Sequence, residues 1–162
     1  MKLLPFFFIV LSVSIASPIF GQEVKKAGKI TALILEENIA NYYQKGIKFQ
    51  AFILDEEGVL EAKKDYEIVL DAKEKKFVVK PKSIKYPIAD NVEVSDINGG
   101  KSVCHCGFGA ADDCEFLGNP KPGEIHDCGG SCTCGQLIIW DIKSIGRFRT
   151  LDGEWHSNNY KK

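Results

Sequence analysis

From residue 23 to residue 95 the chain alternates short apolar runs with turns rich in Lys and Glu. Lys29 to Leu35 and Ile47 to Leu54 are dense in strand formers. In the second run Ile47, Phe49, Ala51 and Ile53 recur at period two, which predicts one strand with these four side chains on a common face. Asp55-Glu56-Glu57-Gly58 then supplies turn chemistry. Tyr66 to Leu70 and Phe77 to Lys80 flank the charged stretch Asp71 to Lys76, the pattern of a hairpin with a solvated tip. Between the first two runs, Glu36 to Lys45 predicts one short helix. Ile39, Tyr42 and Tyr43 fall at i, i+3 and i+4 there, and Gly46 follows as C-cap.

Val92 to Val94, Gln136 to Ile142 and Arg147 to Leu151 are further strands by the same criteria. Leu137-Ile138-Ile139-Trp140 is continuous rather than alternating, as in a strand buried on both faces. The fold class expected is mainly β: a single antiparallel β-sandwich or small barrel, with a Gly/Cys-rich loop region and at most one short helix. Its edges must be protected from pairing with other chains, and the lysines flanking the strands do this.

The N-terminus has a different pattern. Lys2 is the only charge before Glu23, and Leu3 to Leu11 is apolar apart from Pro5. Small residues follow at Ser12, Ser14, Ala16 and Ser17. This order reads as a secretory signal peptide over residues 1–21, cleaved after Gly21 in preference to Ala16, whose successor pair is Ser17-Pro18. The apolar run is far short of the ~20 residues needed to span a bilayer. Residues 22–162 are then one mainly-β domain, secreted or periplasmic, without an integral membrane span. The formal net charge of −1 lacks the basic footprint of a nucleic-acid binder, so no nucleic acid is expected among the partners.

All six cysteines and nine of the fifteen glycines lie in residues 96–135. The cysteines are Cys104, Cys106, Cys114, Cys128, Cys132 and Cys134, spaced C-x-C-x7-C-x13-C-x3-C-x-C. Both outer elements read C-x-C-G, and both inner cysteines follow an aspartate (Asp113, Asp127). Asp112, Glu115 and Glu124 make the segment acidic. In an exported chain an even cysteine count reads as three disulfides, which compensate for a segment with few large apolar side chains. The quasi-symmetry suggests that the two C-x-C elements pair with each other and that Cys114 pairs with Cys128. One such link closing about 28 residues would stabilise by roughly 3.5 kcal/mol in the chain-entropy model.

The alternative use of the same residues is a metal centre holding zinc, copper or an iron–sulfur cluster, with His105 and His126 as additional ligands. The spacing matches neither the C-x2-C or C-x4-C pairs of zinc knuckles nor the runs of ferredoxins. A third reading, an exported enzyme of unknown class, has no mechanism-bearing motif behind it, and no catalytic residue is assigned. His156, close to Asp152, Glu154 and Ser157, reads as an exposed C-terminal histidine rather than a member of a triad.

Three other features bear on contacts. Arg147-Phe148-Arg149 puts two arginines on one strand face with Phe148 opposite, which suits a solvated outer face over a core and, secondarily, an anion. Tyr42 and Tyr43 read as one rim and one core residue. Trp140 reads as buried, and Trp155, near the C-terminus, as the candidate contact residue. The functional expectation is an exported protein whose disulfide-stapled, acidic, Cys-rich loops bind a protein or small ligand outside the cytoplasm, without a cofactor.

Overall fold

The computed structural model describes residues 29–86, 93–106, 114–119, 121–130 and 134–158. The expected leader and Cys132 lie outside the described residues. The strands are β1 (Ile30–Leu35), β2 (Ile47–Lys48), β3 (Phe52–Leu54), β4 (Val59–Ala62), β5 (Tyr66–Asp71), β6 (Lys76–Pro81) and β7 (Glu93–Ile97). They continue as β8 (Gly100–Cys106), β9 (Cys114–Phe116), β10 (Cys128–Gly130), β11 (Cys134–Asp141), β12 (Ile145–Thr150) and β13 (Trp155–Ser157). One helix, α1 (Glu37–Ala40), is present among the described residues.

The main sheet runs β2-β3-β4-β1-β5-β6-β11-β8-β7, with β12 added to β1 and β13 to β12. The strand pairs are antiparallel. Along most of its length β1 lies between β4 and β12, but Ile30, its first residue, also faces Ile68 of β5. A register shift between Ile30 and Ala32 marks this corner. Such an irregularity bends a strand and increases its twist. The sheet therefore curls over itself as a half-barrel, the mainly-β architecture expected.

The core fills the curl. Leu33, Phe52, Leu60, Ile145 and Phe148 from one half meet Phe77, Val79, Ile138 and Trp140 from the other. Tyr43 sets its ring edge-to-face on Trp140 with centroids 5.5 Å apart. β6 and β11 are buried on their outer face as well, where Val78, Val103 and Leu137 pack under Ile84. Hence the unbroken apolar run Leu137–Trp140: its side chains serve two clusters in alternation. Lys80 fastens the cover, its Nζ meeting Glu67 Oε1 at 2.6 Å and donating to the Ile84 carbonyl at 2.6 Å.

Two local expectations are corrected. The helix is four residues long, not ten. An isolated helix of this length has no stability of its own, and the chain turns after it so that Tyr43 enters the core while Tyr42 stays exposed. Tyr43 Oη donates to the Asn98 carbonyl at 2.8 Å. The Ile47–Leu54 run is a two-strand hairpin rather than one strand, with Ile47 opposite Leu54. Ala51, Phe52 and Leu54 are buried in the core, and Ile53 points outward. The turn is held from elsewhere in the chain: the amides of Gln50 and Ala51 donate to Asp127 Oδ1 at 2.6 Å and Gln136 Oε1 at 3.2 Å.

Candidate functional site

The cysteine-rich segment carries strands of its own. Cys104 and Cys106 end β8, and Cys134 opens β11 beside them, so that Cys134 lies opposite Cys106 and Gln136 opposite Cys104 in the ladder. β9 and β10 form a separate two-stranded sheet with Cys128 opposite Phe116 and Gly130 opposite Cys114. Cys104, Cys114, Phe116 and Cys128 are buried together as a small cluster apart from the main core.

Cys104 and Cys128 form a disulfide, with Cα atoms 5.6 Å apart and a sequence separation of 24. The expected Cys114–Cys128 pair is thereby overturned. In the β9–β10 register Cys114 and Cys128 are two residues out of step, whereas Cys104 of β8 is buried in one cluster with Cys128 and bonded to it. Cys114 is disulfide-bonded as well, and no cysteine among the described residues is free. Neither Cys104 nor Cys128 is a thiolate in this state, so neither offers a metal the charged sulfur it needs.

A polar network completes the attachment. The Cys128 amide donates to Gln50 Oε1 at 2.9 Å, and Gln136 Nε2 donates to the His126 carbonyl at 2.5 Å. Gln136 is fully buried, and its oxygen holds the Ala51 amide. A buried amide with both ends satisfied fixes geometry, because either end left unpaired is costly. Tyr66 lies against this network. Its phenol is raised above the ordinary tyrosine value first by burial, which outweighs a hydrogen bond to the Gln136 backbone, with the Asp127 charge adding to the rise. One glycine permits close approach here: a Cβ on Gly135 would meet Pro81 Cγ at 2.8 Å and Ile84 Cδ1 at 3.1 Å.

The two segment histidines go to different places. His126 is half-buried, with Nε2 3.1 Å from Glu124 Oε2 and Nδ1 3.1 Å from the Leu117 carbonyl oxygen. His105 sits on β8 opposite Gly135, and its Nδ1 is buried without a partner among the described residues. Among the described residues no three His, Cys, Asp or Glu side chains converge as a metal-holding group. The outer surface of the segment presents Glu115, Leu117, Lys121 and Glu124.

His156 is half-buried rather than exposed, stacked on Phe148 with centroids 5.2 Å apart. Its Nε2 lies 3.1 Å from Thr150 Oγ1, which donates to Asp152 Oδ1 at 2.5 Å. Asp152 is held below the usual carboxylate range chiefly by that hydroxyl and next by the Glu154 amide. The hydroxyl is enclosed, with Thr150 1% exposed, so this chain of groups shapes the β12–β13 turn and offers no open nucleophile. Trp140 is fully buried and Trp155 is 37% exposed. A groove of about 900 Å³ opens at the other end of β8 and β11, lined among others by Asp96, Lys101, Asp141 and Lys143.

Sequence reasoning missed Gln50 and Gln136. The available signal was Gln136 itself, a polar side chain heading a run of four large apolar residues. A long polar side chain in a strand buried on both faces must find partners there. Comparison with known protein families, with curated proteins and with solved structures yields no match to this chain. No helix among the described residues is long and apolar enough to cross a membrane.

Proposed function

We propose that this is an exported binding module whose disulfide-stapled, acidic β9–β10 region is the recognition surface. The observation that carries the reading is the Cys104–Cys128 bond, which fastens a small sheet with little apolar core to the rim of a rigid β scaffold. The Gln50–Asp127–Gln136 network supports it, because it holds the same segment at a second place. A preorganised loop surface loses less entropy on binding, and scaffold-held loops commonly carry recognition. The N-terminal pattern of Lys2, the Leu3–Leu11 run and the small residues after it supports export to a compartment where disulfides persist.

The test is the intact mass of the protein exported through its own leader, before and after reduction, with elemental analysis of the unreduced sample. A gain of six hydrogens without bound metal is expected. Free thiols at a fixed ratio to zinc, copper or iron would replace this reading by a metal centre. For recognition itself, a photo-crosslinking residue at Leu117 is expected to give a discrete adduct in the native compartment. Glu115→Lys should abolish it. Failure to form any adduct there would remove the interaction reading.

A further inference from the structure

A second surface lies on the outer face of β12 and β13, away from the cysteines in sequence and in the sheet. Arg147 and Arg149 leave β12 on the face opposite Phe148, whose ring is in the core. Across the ladder Arg149 faces Trp155 and Arg147 faces Ser157. The guanidinium carbons of Arg147 and Arg149 lie 5.8 and 5.3 Å from the Trp155 ring centroid. Cation–π contact at this range orients both groups without neutralising them.

The two arginines differ in their partners. Arg149 is ion-paired with Glu61 and donates from Nε to Thr31 Oγ1 at 3.3 Å. Arg147 is exposed and has no carboxylate partner among the described residues. An unpaired guanidinium beside an indole that is 37% exposed, on paired strands rather than a loop, is a ready acceptor for a ligand carrying both an anion and a flat apolar face. Glu61 is itself exposed on β4, across β1 from β12, and its carboxylate, ion-paired with Arg149 in that residue's row, offers a hydroxyl acceptor.

We propose that Arg147, Trp155 and Glu61 bind a carboxylate-bearing sugar ring, as presented by an acidic polysaccharide. The C–H face of the pyranose would cover the indole, its carboxylate would take the fork of Arg147, and a ring hydroxyl would donate to Glu61. An acidic peptide satisfies the charge but leaves the indole without a ring face to cover. Inorganic anions satisfy the charge alone.

Tryptophan fluorescence of the full exported chain tests this, since Trp140 is enclosed and only Trp155 is open to added quencher or ligand. Titration with an oligogalacturonate is expected to give a saturable change and to shield Trp155 from acrylamide. A neutral glucan oligomer of equal length, poly-glutamate and inorganic phosphate are expected to give none. Arg147→Gln should weaken binding by about tenfold or more, the size of one lost charge-assisted pair. With binding of the Trp155 variants read by titration calorimetry instead, Trp155→Phe should keep partial binding and Trp155→Ala should lose it, with unchanged Trp140 emission reporting an intact core. No saturable change, equal binding of the neutral oligomer, equal binding of poly-glutamate or phosphate, or full binding by Arg147→Gln would each overturn the proposal.

Discussion

The β core and the cysteine-rich region are held together by different physics. In the core, Trp140, Phe77, Leu33, Leu60 and Leu137 are fully buried, and stability is spread over many side chains in contact. The β9–β10 region has one large apolar side chain in its cluster, Phe116, packed with sulfurs. It is kept in place at points: a disulfide, the Gln136 amide and the Asp127 carboxylate. Distributed burial is lost cooperatively and takes the whole fold with it. Point attachment fails abruptly and locally. The second arrangement leaves the surface of the region free to carry charge and glycine, which a burial-held element cannot do.

The most severe way to break this contrast is to empty the core. Trp140→Ala is expected to cost about 3–5 kcal/mol and to release β9–β10 with the rest, as one cooperative transition in urea. A second transition surviving at higher denaturant would show the cysteine-rich region to be independent. Next in size, replacing Cys104 and Cys128 together by Ser should cost about 3.5 kcal/mol by chain entropy. Its mark in hydrogen exchange is loss of protection in β9–β10 with β1 and β6 still protected. Uniform loss across the chain would erase the distinction between the two regions.

Gln136→Leu leaves the Ala51 amide and the His126 carbonyl unpaired, and an expected cost of about 1–3 kcal/mol follows. Its NMR shift changes should concentrate at residues 50–51 and 126–128. Spread along β6 instead would locate the role of Gln136 in the main sheet. The smallest effect sharpens the core side. Burial raises Tyr43 and Tyr66 above the ordinary tyrosine value of 10.0. The folded state therefore favours the neutral phenols. Their contribution is fully present below the unfolded value and is lost as pH rises beyond it. Stability from denaturant midpoints should be insensitive to these groups up to about pH 10 and fall above that. Tyr43→Phe should lower stability at neutral pH by about 1 kcal/mol, through loss of the bond to the Asn98 carbonyl, and soften the alkaline fall.

How far each part was legible follows from the range of the forces involved. The Tyr66–Pro81 hairpin and the doubly buried Leu137–Trp140 run are encoded by patterns that sit entirely within each segment. Phe148 inward with Arg147 and Arg149 outward follows from the same side-chain alternation. The Ile47–Leu54 segment misleads because its period-two pattern is real while its backbone partners, Asp127 and Gln136, come from more than 75 positions away. The short α1 misleads similarly: Tyr43 follows Trp140 and Asn98, not its helical neighbours.

By itself the sequence determined that the protein is mainly β, that its chemistry of cross-linking is confined to one acidic segment, that Leu137–Trp140 is buried on both faces, and that Phe148 faces the core. These are properties of spacing and composition, written into contiguous residues. Only the tertiary structure decided that Cys128 joins Cys104 rather than Cys114, that Gln50 and Gln136 clasp the segment from two sides, and that Arg147 and Trp155 share one open face. Each of those depends on strand register across the curled sheet, where a shift of a single residue turns every side chain to the other face.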